Sequence, residues 1–166
     1  IMYSSSSSVA GQGTASDYSI INPGNGGVNT YYGMAVAVGD LNGDGTTDLV
    51  VGSARRDTAN SLYYADEGGV DVYYVTSEGW MPKKPSLSLT PPSIPTNMDA
   101  YFGNGLTIMD IDNDGNNDLL VGAIGYDGAN TGEGTVYIVP GTSNGLSSST
   151  SSQIDSPAAT QANAGF

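Results

Sequence analysis

A nine-residue acidic segment occurs twice in this chain and constrains its fold more than any other feature. The first copy, at 40–48, is DLNGDGTTD and the second, at 110–118, is DIDNDGNND, so matching positions are 70 residues apart. Oxygen-bearing side chains occupy positions 1, 3, 5 and 9 of both copies, and glycine occupies position 6. Alternating oxygen ligands in a tight loop suit Ca²⁺, and the glycine permits the sharp turn.

We therefore predict two Ca²⁺ sites, each built from four side chains and one backbone carbonyl. The predicted ligands of the first site are Asp40, Asn42, Asp44 and Asp48 with the carbonyl of Thr46. Those of the second site are Asp110, Asp112, Asp114 and Asp118 with the carbonyl of Asn116. The alternative is two acidic surface turns, because Asp, Asn and Gly are ordinary turn residues. Two copies in register, each running into an apolar segment, favour metal binding.

The EF-hand calcium loop shares the first six positions of this pattern, but two features argue against it. Its twelfth position should be a bidentate Glu, whereas this chain has Val51 and Val121 there. The segments that flank the first loop, 33–39 and 49–52, are short, apolar and bounded by glycine. They are typical of buried strands rather than helices. Each loop is therefore predicted to join two adjacent strands.

Composition removes several classes of function. The chain has no histidine and no cysteine, which excludes Ser-His-Asp and Cys-His catalysis, disulfides and thiolate metal sites. Seventeen acidic residues against four basic ones give a net charge of −13, which argues against binding to nucleic acid or anionic membranes. No apolar run is long enough to insert into a membrane. Loops of this kind suit the high free Ca²⁺ outside cells, so we expect an extracellular or cell-surface location.

The order of segments predicts an all-β repeat protein. Each unit offers four short strands separated by glycine-rich turns, without helical periodicity, as in a four-stranded antiparallel blade of a β-propeller. We divide the chain into a Ser-rich leader or linker (1–17), an incoming strand and turn (18–30), a first repeat (31–98), a second repeat (99–155) and the start of a third (156–166).

The repeating unit resembles the FG-GAP repeat of integrin α-subunit propellers and their bacterial and archaeal relatives. The residues that carry the resemblance, besides the two acidic loops, are Tyr32-Gly33, Phe102-Gly103, Gly52-Ser53-Ala54, Gly122-Ala123-Ile124 and Val136-Tyr137. The resemblance implies propeller blades with a calcium loop between the first two strands of each blade, and protein ligands. Propellers of this family normally have seven blades, whereas this sequence holds two and the start of a third.

We predict a non-enzymatic, calcium-binding module for extracellular adhesion or recognition, with a protein or glycan ligand. The alternatives are a structural subunit of a filament or other assembly built from two-blade units, and a non-catalytic part of a secreted hydrolase. A glycosidase-type carboxylate pair is the only catalytic arrangement that the composition leaves open, and solvated surface acids are the simpler interpretation. Trp80, beside a turn, is a candidate for stacking on a sugar.

Apolar strand residues need more cover than two blades give each other. The residues concerned are Val36, Val38, Val50, Val72, Ile108, Leu120, Val136 and Ile138. Open strand edges also invite pairing with another chain. We therefore expect either further repeats of the same chain or further copies of it as partners.

Overall fold

The structure, a computed structural model, describes residue 22 and residues 29–57, 66–92, 99–127, 132–147 and 152–155, the last range by its backbone only. The predicted leader at 1–17, nearly all of the incoming segment at 18–30 and the predicted start of a third repeat at 156–166 lie outside the described residues. Among the described residues, no helix is long and apolar enough to cross a membrane.

Two four-stranded antiparallel sheets make up the described part of the chain. The strands of the first sheet, in spatial order, are β1 (Tyr32–Gly39), β2 (Asp48–Ser53), β3 (Gly69–Tyr73) and β4 (Leu87–Leu89). The strands of the second sheet are β5 (Phe102–Met109), β6 (Asp118–Ala123), β7 (Thr135–Val139) and β8 (Ser152–Asp155). Spatial order equals chain order, so each sheet is a meander. The predicted all-β class is confirmed, and both sheets are consistent with propeller blades.

The two acidic segments are the hairpin loops between the first two strands of each sheet. The last residue pair of the first hairpin is Gly39 with Asp48, and that of the second is Met109 with Asp118. The prediction that each loop joins two adjacent strands is therefore confirmed.

The hydrophobic core lies between the two sheets. Direct antiparallel partners point to the same face of a sheet, so Ala37, Val50 and Val72 share one face of the first sheet. Leu119 and Val121 belong to the facing layer of the second sheet. Among the residues that the structure describes, the buried members of this core are Leu41, Val50, Val70, Val72, Leu89, Phe102, Leu119, Val121, Ala123, Tyr137, Val139 and Leu146.

The start of β5 docks on the backbone of the first repeat. The N–H of Phe102 donates to the carbonyl of Glu67 at 3.0 Å, and the N–H of Tyr101 donates to that of Asp66 at 3.1 Å. A Cβ added to Gly52 would lie 2.2 Å from the carbonyl oxygen of Gly103. The contact therefore requires glycine at 52.

The expectation that both strands beside the first loop are buried is wrong for β1. β2 is largely buried, but Met34, Val36 and Val38 of β1 are 61%, 60% and 51% exposed. The reason is the two-residue period of a strand. Only the face of β1 that carries Ala37 packs against the second sheet, so an unbroken apolar run did not mean burial on both faces.

Candidate metal centre

The first position of each acidic loop organises the turn. In the first loop, Oδ1 of Asp40 accepts the N–H of Gly43 and Oδ2 accepts that of Gly45, both at 2.8 Å. Gly43 and Gly45 have φ values of +72° and +80°, which favour glycine. One carboxylate thus draws the following five residues into a tight loop.

The second loop repeats this frame with two changes, one in a hydrogen-bond donor and one in a residue type. Oδ2 of Asp110 accepts the N–H of Gly115 at 3.0 Å, and its Oδ1 accepts that of Asp114 at 3.1 Å. Asn113, with φ of +61°, stands where the first loop has Gly43. Asparagine is among the residues that tolerate this left-handed conformation, so both loops have a positive φ at position 4.

Positions 3 and 5 also turn their side chains towards the backbone of the loop. Oδ1 of Asp44 accepts the N–H of Thr46 at 2.7 Å. In the second loop Oδ1 of Asp114 accepts the N–H of Asn116 at 2.7 Å. The bond from Thr46 lowers the pKa of Asp44, which keeps this carboxylate ionised. The side chains at position 3, Asn42 and Asp112, each accept the N–H of the residue at position 5, at 3.1 Å.

The carboxylates at position 9, Asp48 and Asp118, are buried, and each connects its loop to the segment that follows the third strand of its sheet. Oδ2 of Asp48 accepts the N–H of Leu41 at 2.9 Å, and its Oδ1 accepts that of Val75 at 2.8 Å. Asp118 accepts the N–H of Ile111 at 3.0 Å and that of Gly141 at 2.8 Å.

Burial raises the pKa of Asp48, and the charges of Asp44 and Asp40 add to the rise. Hydrogen bonds from the N–H groups of Leu41 and Val75 oppose it. A cation among these carboxylates would supply the positive charge that favours their ionised form.

Three carboxylates of the second loop converge. One oxygen from each of Asp110, Asp112 and Asp118 lies within 4.8 Å of the others, which is compatible with a shared metal ion. Asp114 is not part of this trio. In the first loop Asn42 replaces the middle acid, so position 3 offers an amide oxygen instead of a charge. Ligation by the carbonyls of Thr46 and Asn116 stays a prediction.

A residue that the sequence did not single out connects the two loops. Nδ2 of Asn117, at position 8 of the second loop, donates to the backbone carbonyl of Asp40 at 2.8 Å. This contact spans 77 residues of sequence. No pattern within one loop indicates it, because the first loop has Thr47 at position 8.

Comparison with known families agrees with the geometry. A family model for the FG-GAP repeat matches residues 32–73 and 102–139. The chain contains two FG-GAP repeats. Each match begins at the first strand of a sheet and runs through the acidic loop to the third strand. The resemblance seen in the sequence is therefore confirmed.

Integrin α subunits are similar to this chain over most of its length. The chain is 36% identical to integrin alpha-IIb of Mus musculus over 141 residues, which cover 82% of the chain and 13% of that protein. It is 34% identical to integrin alpha-PS3 of Drosophila melanogaster over 128 residues, 76% of the chain and 10% of that protein. It is 40% identical to integrin alpha ina-1 of Caenorhabditis elegans over 121 residues, 68% of the chain and 10% of that protein. The chain thus spans 10–13% of the length of these curated relatives.

Proposed function

We propose that this chain is a non-enzymatic, Ca²⁺-binding FG-GAP module for extracellular adhesion or recognition. The observation that carries the proposal is the second loop, where three carboxylates converge within 4.8 Å on a frame that the first loop repeats. The similarity to integrin α subunits supports the adhesive role and the extracellular location.

Ca²⁺ is the ion that fits the donors of the two loops. All proposed side-chain ligands offer oxygen, from Asp40, Asn42, Asp44 and Asp48 in one loop and four Asp residues in the other. Ca²⁺ accepts a flexible shell of about six to eight oxygens, whereas Mg²⁺ demands a near-octahedral shell and keeps several waters. The carbonyls of Thr46 and Asn116 would complete the proposed shells.

Three carboxylates outside the loops have structural roles, which supports a non-enzymatic module. Asp66 forms an ion pair with Arg55, with 2.5 Å between Nη2 and Oδ2. Asp57 accepts the N–H of Asp66 at 2.9 Å, and Asp71 pairs with the buried Arg56. These carboxylates hold loops and strands together and leave no free acid–base pair among themselves.

A second candidate function, a structural subunit of an assembly, is favoured by the exposed face of β1. Val36 and Val38 occupy the positions that Leu106 and Ile108 occupy in β5. Leu106 and Ile108 pack against the core between the sheets, whereas Val36 and Val38 are more than half exposed. A further repeat, or a second copy of the chain, would cover this face in the way that the first sheet covers β5.

Thermal unfolding with and without Ca²⁺ tests the metal-binding proposal. Without the ion, two carboxylates about 4 Å apart repel by roughly 4 kcal/mol at an effective dielectric constant near 20, so the loops should loosen. Excess chelator should lower the melting temperature, and Ca²⁺ should restore it better than Mg²⁺. An unchanged melt, with metal removal verified by elemental analysis, would contradict structural calcium binding.

A further inference from the structure

The two acidic loops are neighbours joined across the repeat boundary. The side-chain amide of Asn117 donates to the carbonyl of Asp40 at 2.8 Å. Asn117 directly precedes Asp118, whose carboxylate belongs to the converging trio of the second loop. Asp40 begins the first loop and holds its turn through two hydrogen bonds. The bond therefore links a residue adjacent to one proposed ligand with the backbone of another.

A second route connects the buried carboxylates at position 9. Asp118 accepts the N–H of Gly141, where the turn after β7 begins. This turn reaches the first repeat, because the N–H of Leu146 donates to the hydroxyl of Tyr74 at 2.8 Å. The next residue, Val75, donates its N–H to Asp48. Hydrogen bonds and neighbouring residues of the chain thus form a continuous route from one carboxylate to the other.

The turn after β7 fits tightly against the first repeat. A Cβ added to Gly145 would lie 2.6 Å from the hydroxyl of Tyr74, and one added to Gly43 would lie 3.9 Å from the carbonyl oxygen of Ser143. The turn from the second repeat therefore packs against Tyr74, directly after β3, and lies near the first acidic loop.

We propose that the two loops bind Ca²⁺ with positive cooperativity, and that Asn117 is the positioning residue that couples them. The proposal rests on the proposed function, because it requires both loops to take the ion. Ca²⁺ in the second loop fixes Asp118 and thereby its neighbour Asn117, whose amide then holds the backbone of Asp40. The first loop loses less conformational freedom when it binds its own ion, and linkage makes the effect reciprocal.

The glycine at position 6 of each loop provides a separate reporter. The N–H groups of Gly45 and Gly115 donate to the carboxylates of Asp40 and Asp110, so their amide resonances should shift when the loops fill. A Ca²⁺ titration followed by ¹H–¹⁵N NMR on the full chain then yields one binding curve for each loop.

A double-mutant cycle tests the coupling. Asp110→Asn removes a proposed ligand and so disables the second loop. It should weaken Ca²⁺ binding by the first loop, as reported by Gly45, roughly 2- to 10-fold, which corresponds to the free energy of one neutral hydrogen bond. In a protein that already carries Asn117→Ala, adding Asp110→Asn should not weaken the Ca²⁺ binding reported by Gly45 any further. Thr47→Ala, at the same position of the first loop, is the matched control and should leave the coupling intact. Asp112→Asn, at an exposed position, provides a milder second variant if Asp110→Asn fails to fold.

Each outcome of this cycle decides between the proposals. If neither reporter responds to millimolar Ca²⁺, the proposed metal function itself is wrong. If both respond but Asp110→Asn leaves the curve at Gly45 unchanged, the loops are independent and cooperativity is refuted while metal binding stands. If Asp110→Asn weakens the Ca²⁺ binding reported by Gly45 to the same extent with and without Asn117→Ala, the role of Asn117 is refuted.

Discussion

Arg56 and Asp71 form a bidentate ion pair buried in the first repeat, with nitrogen–oxygen distances of 3.0 and 2.5 Å. At the corresponding positions the second repeat has Tyr126 and Tyr137, whose rings meet edge to face with centroids 6.1 Å apart. The same strand framework therefore encloses a charged pair in one repeat and an aromatic pair in the other. The first repeat depends on a charge balance that the second does not need.

Removing one partner of this pair should destabilise the protein strongly. Asp71→Ala leaves the guanidinium of Arg56 buried without its countercharge, and should lower the free energy of unfolding by about 3–5 kcal/mol. The double change Arg56→Met with Asp71→Leu removes both charges and should cost less than Asp71→Ala alone. Urea unfolding at saturating Ca²⁺ measures both values. A double variant less stable than the single one would contradict this account.

The contact between the repeats should be far more sensitive to added bulk at Gly52 than at its counterpart Gly122. A Cβ at Gly52 meets the carbonyl oxygen of Gly103 at 2.2 Å, whereas one at Gly122 has no neighbour closer than 3.5 Å. Gly52→Ala should therefore cost about 1–3 kcal/mol of stability, as overpacked sites do. Gly122→Ala is the matched control and should be nearly neutral. Equal losses in the two variants would show that the close approach does not matter.

Much of the fold could be predicted because local signals and the repeat agree. Turn residues mark the loops, alternating apolar residues mark strands such as Gly69–Tyr73, and the 70-residue offset identifies the repeating unit. The ligand set rests on the same local logic. The spacing of acids within one loop is fixed by the geometry of a tight turn, so it can be read without knowing what packs around it.

The remainder depends on contacts between the repeats, which sequence spacing does not reveal. The exposure of Val36 on β1 follows from which face of the strand meets the second sheet. The bond from Asn117 to Asp40 follows from how closely the two loops approach each other. The buried pair of Arg56 with Asp71 could not be distinguished from ordinary surface charges, because its burial is a tertiary property.

The second loop should bind Ca²⁺ more tightly than the first. Asp112 adds a carboxylate where the first loop has the neutral Asn42, and ligand charge tunes affinity in such loops. Asp112→Asn should weaken the second site by roughly tenfold, the scale of one screened charge contact. Asn42→Asp should tighten the first site correspondingly. Calorimetry on the wild type and the two variants measures the Ca²⁺ affinity of each site. A first site that binds Ca²⁺ more tightly than the second in the wild type would overturn the prediction.

Stability without metal should fall as the pH rises, partly through Asp48. Burial raises the pKa of this group in the folded protein above its ordinary value, and Asp44 and Asp40 add to the rise. Folding therefore favours the protonated form, so its stabilising contribution is present at low pH and is lost as the pH rises through the folded pKa. With saturating Ca²⁺ the dependence should reverse, because protons compete with the ion for the carboxylate.

Melting of metal-free protein from about pH 4, near the ordinary pKa of an aspartate, up to about pH 7.5, after passage over a chelating resin, measures this dependence. Asp48→Asn is the appropriate variant, because it removes the titrating group while nearly keeping its shape. Its melting temperature should vary less with pH than that of the wild type. If the melting temperatures of the wild type and of Asp48→Asn change equally with pH, groups other than Asp48 control the pH dependence of stability.

The exposed face of β1 should drive self-association of this chain when no further repeat covers it. Val36 is 60% exposed, although Leu106 at the same position of β5 packs against the core. Val36→Lys places a charge in the contact that a second copy would make, so it should reduce association. The substitution lies at the surface and should change stability by less than about 0.5 kcal/mol.

Sedimentation velocity over a range of protein concentrations measures this association. Ser77→Lys, at an exposed turn after β3, adds the same charge away from the proposed contact and is the matched control. It should associate like the wild type. In a head-to-tail contact, Val36 of one copy would pack against the exposed face of β5 that carries Thr107 in the next copy. Thr107→Lys should therefore reduce association as Val36→Lys does. A non-closing contact of this type builds filaments, which electron microscopy would reveal. A wild-type chain that stays monomeric at every concentration would show that this face needs no partner.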